Sequence, residues 1–107
     1  MIYLYRRNKT GICIDRVYGH DGIVELPETL EGLPVTELGA YIFSDHIDRG
    51  DLEKCRMSGK FCTEDGLEVQ DGEGMPEMSG NAVQELILPA KLRKVGRYAF
   101  DNCFHVK

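Results

Sequence analysis

Several features that would place the chain in a special class are missing from its sequence. No apolar run approaches the roughly 20 residues that a membrane-spanning helix needs, so we expect no membrane span. At the N-terminus, Met1 to Arg7 carry their arginines after the apolar residues, the reverse of a secretory signal peptide. The lack of an export signal favours the cytoplasm. With 42% hydrophobic and 29% charged residues, the chain has the composition of a globular protein, and we expect one domain over 1–107.

Recognisable catalytic and metal-binding motifs are also missing. Cys13, Cys55, Cys62 and Cys103 form neither a C-x-x-C pair nor a zinc-finger spacing. No histidine has a partner motif, and no glycine-rich phosphate loop precedes a helix. We therefore predict no catalytic residue, no metal site and no cofactor. A small thiol-dependent enzyme that uses Cys55 or Cys62 is the remote alternative, and a disulfide between these two cysteines is open if the protein is exported.

Acidic residues exceed basic ones and are concentrated in one segment. Ten of the 18 acidic residues fall between Ser44 and Ala82, so we interpret 44–82 as an acidic insertion or a degenerate repeat. Its later part, 70–81, has loop composition and is predicted to be dispensable. The segment lacks the alternating ligands of a calcium loop. The net charge of −5 argues against a nucleic-acid partner, although Lys91, Arg93, Lys94 and Arg97 form a local basic stripe.

The acidic segment contains one short motif with a known binding role. Arg49-Gly50-Asp51 is the tripeptide through which some adhesive proteins engage integrins. It is the candidate partner-binding site that the sequence offers. The alternative is a chance match in a chain that has many arginines, glycines and aspartates.

One pattern of apolar residues, proline and glycine occurs twice. The first copy contains Val24, Leu26-Pro27, Leu30, Leu38-Gly39, Tyr41 and Phe43, and the second contains Leu86, Leu88-Pro89, Leu92, Val95-Gly96, Tyr98 and Phe100. Alternating aliphatic residues indicate a strand, proline ends its pairing, and glycine permits the following turn. Such units bury an apolar face by stacking on a neighbour. We expect Leu26 and Leu88 to point inward and Phe43 and Phe100 to anchor the core; the alternative is two unrelated strand-turn segments.

The second copy, Val83 to Cys103, resembles the unit of the BspA-type leucine-rich repeats of bacteria. That unit reads approximately L-x-x-V-x-I-P-x-x-V-x-x-I-G-x-x-A-F-x-x-C, and 22–39 resembles the opening unit of such arrays. Ile42 and His46 depart from the family pattern. The resemblance implies a β-rich mixed α/β fold, a leucine-rich-repeat solenoid fragment with an N-terminal β-hairpin cap and short helical turns. Its parts would be the hairpin cap (1–21), the first repeat (22–43), the insertion (44–82) and the second repeat (83–107).

The same resemblance implies a function in binding. We expect a non-catalytic protein-interaction module that presents its repeat surface to a macromolecular partner, adhesive in character and located at the cell surface or secreted as in many family members. The alternative is a capping or structural fragment of a longer repeat protein whose activity lies elsewhere. Because Phe104 to Lys107 end where another strand is expected, the last unit would be uncovered. We therefore also expect self-association through this C-terminal end.

Overall fold

The computed structural model describes residues 1–40, 42–44, 49–71, 74–78, 83–97 and 99. Most of the regular structure is strand, and one helix lies among the described residues. The elements in chain order are β1 (Ile2–Arg7), β2 (Ile12–Tyr18), β3 (Ile23–Glu25), β4 (Thr29–Leu30), β5 (Leu33–Leu38), α1 (Arg49–Ser58), β6 (Lys60–Thr63), β7 (Glu68–Val69), β8 (Glu85–Ile87) and β9 (Lys94–Val95).

The N-terminal hairpin forms as predicted, but it is not a cap. β1 and β2 pair antiparallel, and the Asn8 side chain closes their turn by accepting hydrogen bonds from the amides of Thr10 and Gly11 at 2.9 and 2.7 Å. Both strands also pair along their outer edges, β2 with β5 and β1 with β6. Since neighbours surround it, every residue of β2 is buried. The hairpin is therefore the centre of the sheet.

The prediction of a leucine-rich-repeat solenoid fragment is wrong. The main sheet has the order β4-β5-β2-β1-β6-β7, with β9 beside β5, and it mixes parallel and antiparallel pairs in a curled half-barrel. β3 and β8 form a separate two-stranded sheet. A solenoid repeats one kind of stacked unit, whereas here an antiparallel group, β1, β2, β6 and β7, makes up much of the sheet. The pairing of β1 on both edges produces this difference.

The acidic segment contributes structure to the sheet and the core. Leu52 of α1 is buried, and β6 and β7 extend the sheet beyond β1. Further along, Tyr18 pairs with Glu77, and the Met78 amide donates to the Val17 carbonyl at 2.9 Å. Met78 itself is buried. The prediction that 70–81 is dispensable is therefore wrong for residues 76–78.

The main core combines residues from the hairpin and from both copies of the repeated pattern. Phe43 and Leu26 are fully buried in it, which confirms these two predictions. Leu88 is 44% exposed, so its predicted inward position is wrong. Phe100 and the C-terminal end, 100–107, lie outside the described residues. Within the described part of the chain, no helix is long and apolar enough to cross a membrane.

Candidate interaction surface

The two copies of the repeated pattern lie side by side. We call 22–43 the first repeat segment and 83–99 the second. β3 pairs with β8 in parallel, with Val24 opposite Leu86, and β5 pairs with β9 in parallel, with Leu38 opposite Val95. These are the positions that the sequence pattern matches to one another. The second repeat segment therefore covers one side of the first.

Equivalent positions differ strongly in exposure because no further strand among the described residues covers the second segment. Leu26 is 2% exposed and its counterpart Leu88 is 44% exposed. Leu38 is 0% exposed and its counterpart Val95 is 43% exposed. Side chains that pack in the first segment thus lie at the surface in the second, where Ile87 is exposed as well. Exposed apolar side chains mark interaction sites when they form a contiguous patch.

The backbone of β8 has one paired edge and one open edge. On the paired edge, Glu85 donates its amide to the Gly22 carbonyl at 3.2 Å, and the Ile87 carbonyl accepts the Leu26 amide at 3.0 Å. Successive residues of a strand direct their peptide groups to opposite edges. The amide and carbonyl of Leu86 therefore point away from β3, and no strand of the described part of the chain pairs with them. We call this side the outer edge.

The opposite side of the same small sheet is closed by side chains. The Asp21 carboxylate accepts the Ile23 amide at 3.0 Å, and the Tyr3 hydroxyl donates to the Glu25 carbonyl at 3.1 Å. These two bonds occupy backbone groups that another strand would need. Proteins commonly block exposed strand edges to prevent unwanted pairing. β3 is blocked in this way, whereas no described residue blocks the outer edge of β8.

Charge also distinguishes the two repeat segments. Residues 22–43 contain four glutamates and no lysine or arginine, whereas 83–97 contain one glutamate and four basic residues. The two segments form an ion pair where Lys94 lies 3.8 Å from Glu37. They are also joined by a hydrogen bond, in which the Glu28 carboxylate accepts the Ala90 amide at 2.9 Å. We name the exposed side chains of Lys91, Arg93 and Arg97 the basic group. No ion pair involves the basic group within the described residues.

A groove lies beside the blocked edge of β3. It has a volume of about 610 Å³ and contains the carboxylates of Asp21, Glu25, Glu28 and Glu64. Glu64 is engaged there with the N-terminal amine of Met1 at 2.7 Å. In the part of the chain that is described, no three histidine, cysteine or acidic side chains are placed to hold a metal ion.

The described cysteines are free thiols in surroundings that favour the protonated form. Burial, with the Asp15 carboxylate second, raises the pKa of Cys13, and burial raises the pKa of Cys62 to about 11. The pKa of Cys55 is raised chiefly by burial as well. Because the thiolate is the reactive form, these sites disfavour nucleophilic chemistry. Cys103 lies outside the described residues.

Buried charges are used to hold elements together. Arg16, 2% exposed, donates to the Ser44 carbonyl at 3.0 Å and to the Glu77 carboxylate at 2.8 Å. Asp15 accepts from Arg6 at 3.1 Å, and burial outweighs this guanidinium so that the pKa of Asp15 is raised. Each group has a structural partner, so neither arrangement resembles a catalytic site.

The structure places the predicted binding tripeptide in a helix. Arg49, Gly50 and Asp51 form the first turn of α1, where Gly50 and Asp51 are exposed. Asp51 stands at the end of the helix whose dipole favours a carboxylate. The role of the tripeptide in binding remains a prediction.

Comparison with protein-family models, with curated proteins and with solved structures gave no match to this chain. The resemblance to BspA-type repeats therefore remains a prediction from the sequence pattern.

Proposed function

We propose that the chain is a non-catalytic protein-interaction module whose binding surface is formed by the second repeat segment. One observation carries this proposal: Leu88 and Val95 are about half exposed, while their counterparts in the first segment, Leu26 and Leu38, are buried. The first segment has a protein neighbour at these positions. A partner protein would supply the equivalent neighbour for the second.

The chemistry of the described side chains favours binding over catalysis. The described thiols have raised pKa values, and the buried carboxylate of Asp15 is engaged by Arg6. The exposed surface of the second segment combines apolar side chains with the basic group, whose cations have no ion pair in the part of the chain that the structure describes. Surfaces of this composition suit the contact with another protein, in which an apolar centre is surrounded by polar groups.

The same exposure favours a second candidate function, a structural fragment of a longer repeat protein. In that case the neighbour of the second segment would be a further repeat of the same polypeptide. The two candidates differ in what covers Val95, a separate protein or a continuation of this one. An adhesive role through Arg49-Gly50-Asp51 would use a different surface, the first turn of α1.

Site-specific photo-crosslinking in the cells that produce the protein tests this function. A photoreactive residue replaces Val95 in one variant and Leu67, which is 67% exposed in the turn between β6 and β7, in the control. We expect a discrete protein adduct at Val95 and none at Leu67. The captured protein is then purified, and Val95→Asp should weaken its binding by about tenfold or more, while Leu67→Asp changes it little.

Two results would contradict the proposal. One is equal capture at the two positions, which would indicate random collision. The other is binding of the purified partner that Val95→Asp leaves unchanged.

A further inference from the structure

We propose that the outer edge of β8, together with the basic group, binds an acidic extended segment of a partner protein as an added strand. This inference rests on the proposed function and goes further, because it names the mode of recognition and the chemistry of the partner. An extended peptide that joins a sheet edge gains affinity from main-chain hydrogen bonds and specificity from its alternate side chains.

The backbone of β8 offers two hydrogen-bonding groups to an added strand. The Leu86 amide and carbonyl point outward, since Glu85 and Ile87 make the bonds to the other side. An added strand would pair with these two groups. The blocked edge of β3 offers no comparable opening, because Asp21 and Tyr3 already bind its outward amide and carbonyl. Of the two edges of this small sheet, the β8 edge is the one available for a strand.

The second repeat segment also carries exposed positive charge. Lys91, Arg93 and Arg97 are exposed around β9 without an ion pair among the described residues. Such a concentration of positive charge attracts an acidic partner and repels a basic one. The partner segment should therefore carry several glutamates or aspartates.

The chain itself contains an example of the chemistry that we propose. The first repeat segment, with its four glutamates, lies along the inner edge of β8 and β9. There Glu37 faces Lys94 and Glu28 accepts the Ala90 amide. An acidic strand with aliphatic residues at alternate positions would make the same kinds of contact on the outer edge, and would cover Leu88 and Val95.

A peptide with the sequence of residues 22–30 of this chain is a suitable probe, because it carries the aliphatic-and-glutamate pattern of β3. It is titrated into the isotopically labelled full chain, and backbone amide signals are followed by nuclear magnetic resonance. We expect the largest changes at Leu86 and in β9, and a loss of affinity when the salt concentration is raised. A peptide in which both glutamates are replaced by lysine should bind at least about tenfold more weakly.

A matched pair of protein variants tests the basic group. Lys91→Glu with Arg97→Glu should weaken peptide binding by about tenfold or more. Lys54→Glu with Lys60→Glu makes the same change in net charge at exposed positions of α1 and β6, the latter separated from β5 and β9 by β1 and β2, and should change binding less than about twofold. All variants are first compared with the unmodified chain by thermal unfolding, so that a loss of fold is not mistaken for a loss of binding.

Three results would overturn the inference. The Leu86 amide signal could stay unchanged at millimolar peptide, the two double variants could bind equally, or the changes could centre on Ile23 and the β3 edge. Sedimentation of the chain without peptide adds a fourth: dimers that disappear in Lys91→Glu with Arg97→Glu would make a second copy the occupant. If a partner crosslinks at Val95 but the peptide does not bind, the chain is still an interaction module. Only binding by an added acidic strand is then rejected.

Discussion

Replacing Leu26 and Leu88 by alanine, one at a time, probes the two repeat segments with the same chemical change. The two leucines occupy equivalent places in the sequence pattern and follow the paired strands β3 and β8. Only their environments differ, because Leu26 is 2% exposed in the core and Leu88 is 44% exposed. The difference between the two losses of unfolding free energy therefore measures how much less Leu88 contributes to stability than its buried counterpart.

The expected magnitudes follow from burial. Leu26→Ala removes a fully buried side chain and leaves a cavity, which costs about 2–5 kcal/mol of unfolding free energy. Leu88 is already about half in water and leaves no enclosed cavity, so Leu88→Ala should cost about 1 kcal/mol. A difference of about 2 kcal/mol corresponds to about 30-fold in the folding equilibrium constant.

Urea unfolding at equilibrium, followed by far-ultraviolet circular dichroism, measures both losses. The slope of the free energy against urea should be the same in the two variants, so that the midpoints report stability alone. Leu67→Ala serves as the control for an exposed leucine and should change stability by less than about 0.5 kcal/mol.

Equal losses of unfolding free energy in Leu26→Ala and Leu88→Ala would contradict this expectation. They would mean that Leu88 is packed as tightly as Leu26 in solution. In that case the second segment would already have a neighbour, and the argument for an uncovered surface would fail.

Two further predictions concern the contact between the segments and the pH dependence of stability. Gly96→Ala would add a carbon 2.7 Å from the carbonyl carbon of Gly39 and should lower the free energy of unfolding in urea by about 1–3 kcal/mol. The control Gly50→Ala, on exposed α1, should not lower it. Equal effects of the two substitutions would contradict the close approach of Gly96 to Gly39. Burial raises the pKa of Tyr3 and Tyr5 to about 12. As the pH rises, the unfolded state loses its phenol protons before the folded state does. The free energy of unfolding is therefore unaffected by these tyrosines below about pH 10 and falls as the pH rises toward about 12. Tyr3→Phe should flatten the alkaline fall in unfolding free energy, and an unchanged profile would argue against the raised pKa.

Local patterns in the sequence predicted much of what the two repeat segments do. The matched positions Val24 and Leu86, and likewise Leu38 and Val95, are partners in the parallel ladders. The hairpin strands were also predictable, because β-branched and aromatic residues flank a polar, glycine-ended turn. Similar segments tend to pair with one another, and this tendency is visible in a single sequence.

The arrangement of the strands around these segments was not predictable in the same way. β6 has only Phe61 and Cys62 as buried residues and lies in an acidic stretch, so it has no distinct strand pattern of its own. Its pairing with β1 is decided by tertiary packing, which outweighs local preference. This pairing places the hairpin at the centre of the sheet and makes the solenoid prediction wrong.

For the candidate surface, the opposite charges of the two segments could be read from the sequence, but the open edge could not. Which edge of β8 is free depends on the alternation of peptide groups between strands. The blocking bonds on β3 come from Tyr3 and Asp21, which are outside that strand in the sequence. Such contacts are visible only once the fold is known.

The exchange rate of the Leu86 amide hydrogen shows whether the outer edge of β8 is open. In the dilute isolated chain, we expect fast exchange at Leu86, because no described strand pairs with the edge to which its amide points. The neighbouring Glu85 amide, which donates to Gly22, should exchange much more slowly. On addition of the peptide of residues 22–30, Leu86 should become protected. Strong protection of Leu86 in the isolated chain would show that the edge is already paired and would rule out an open binding edge.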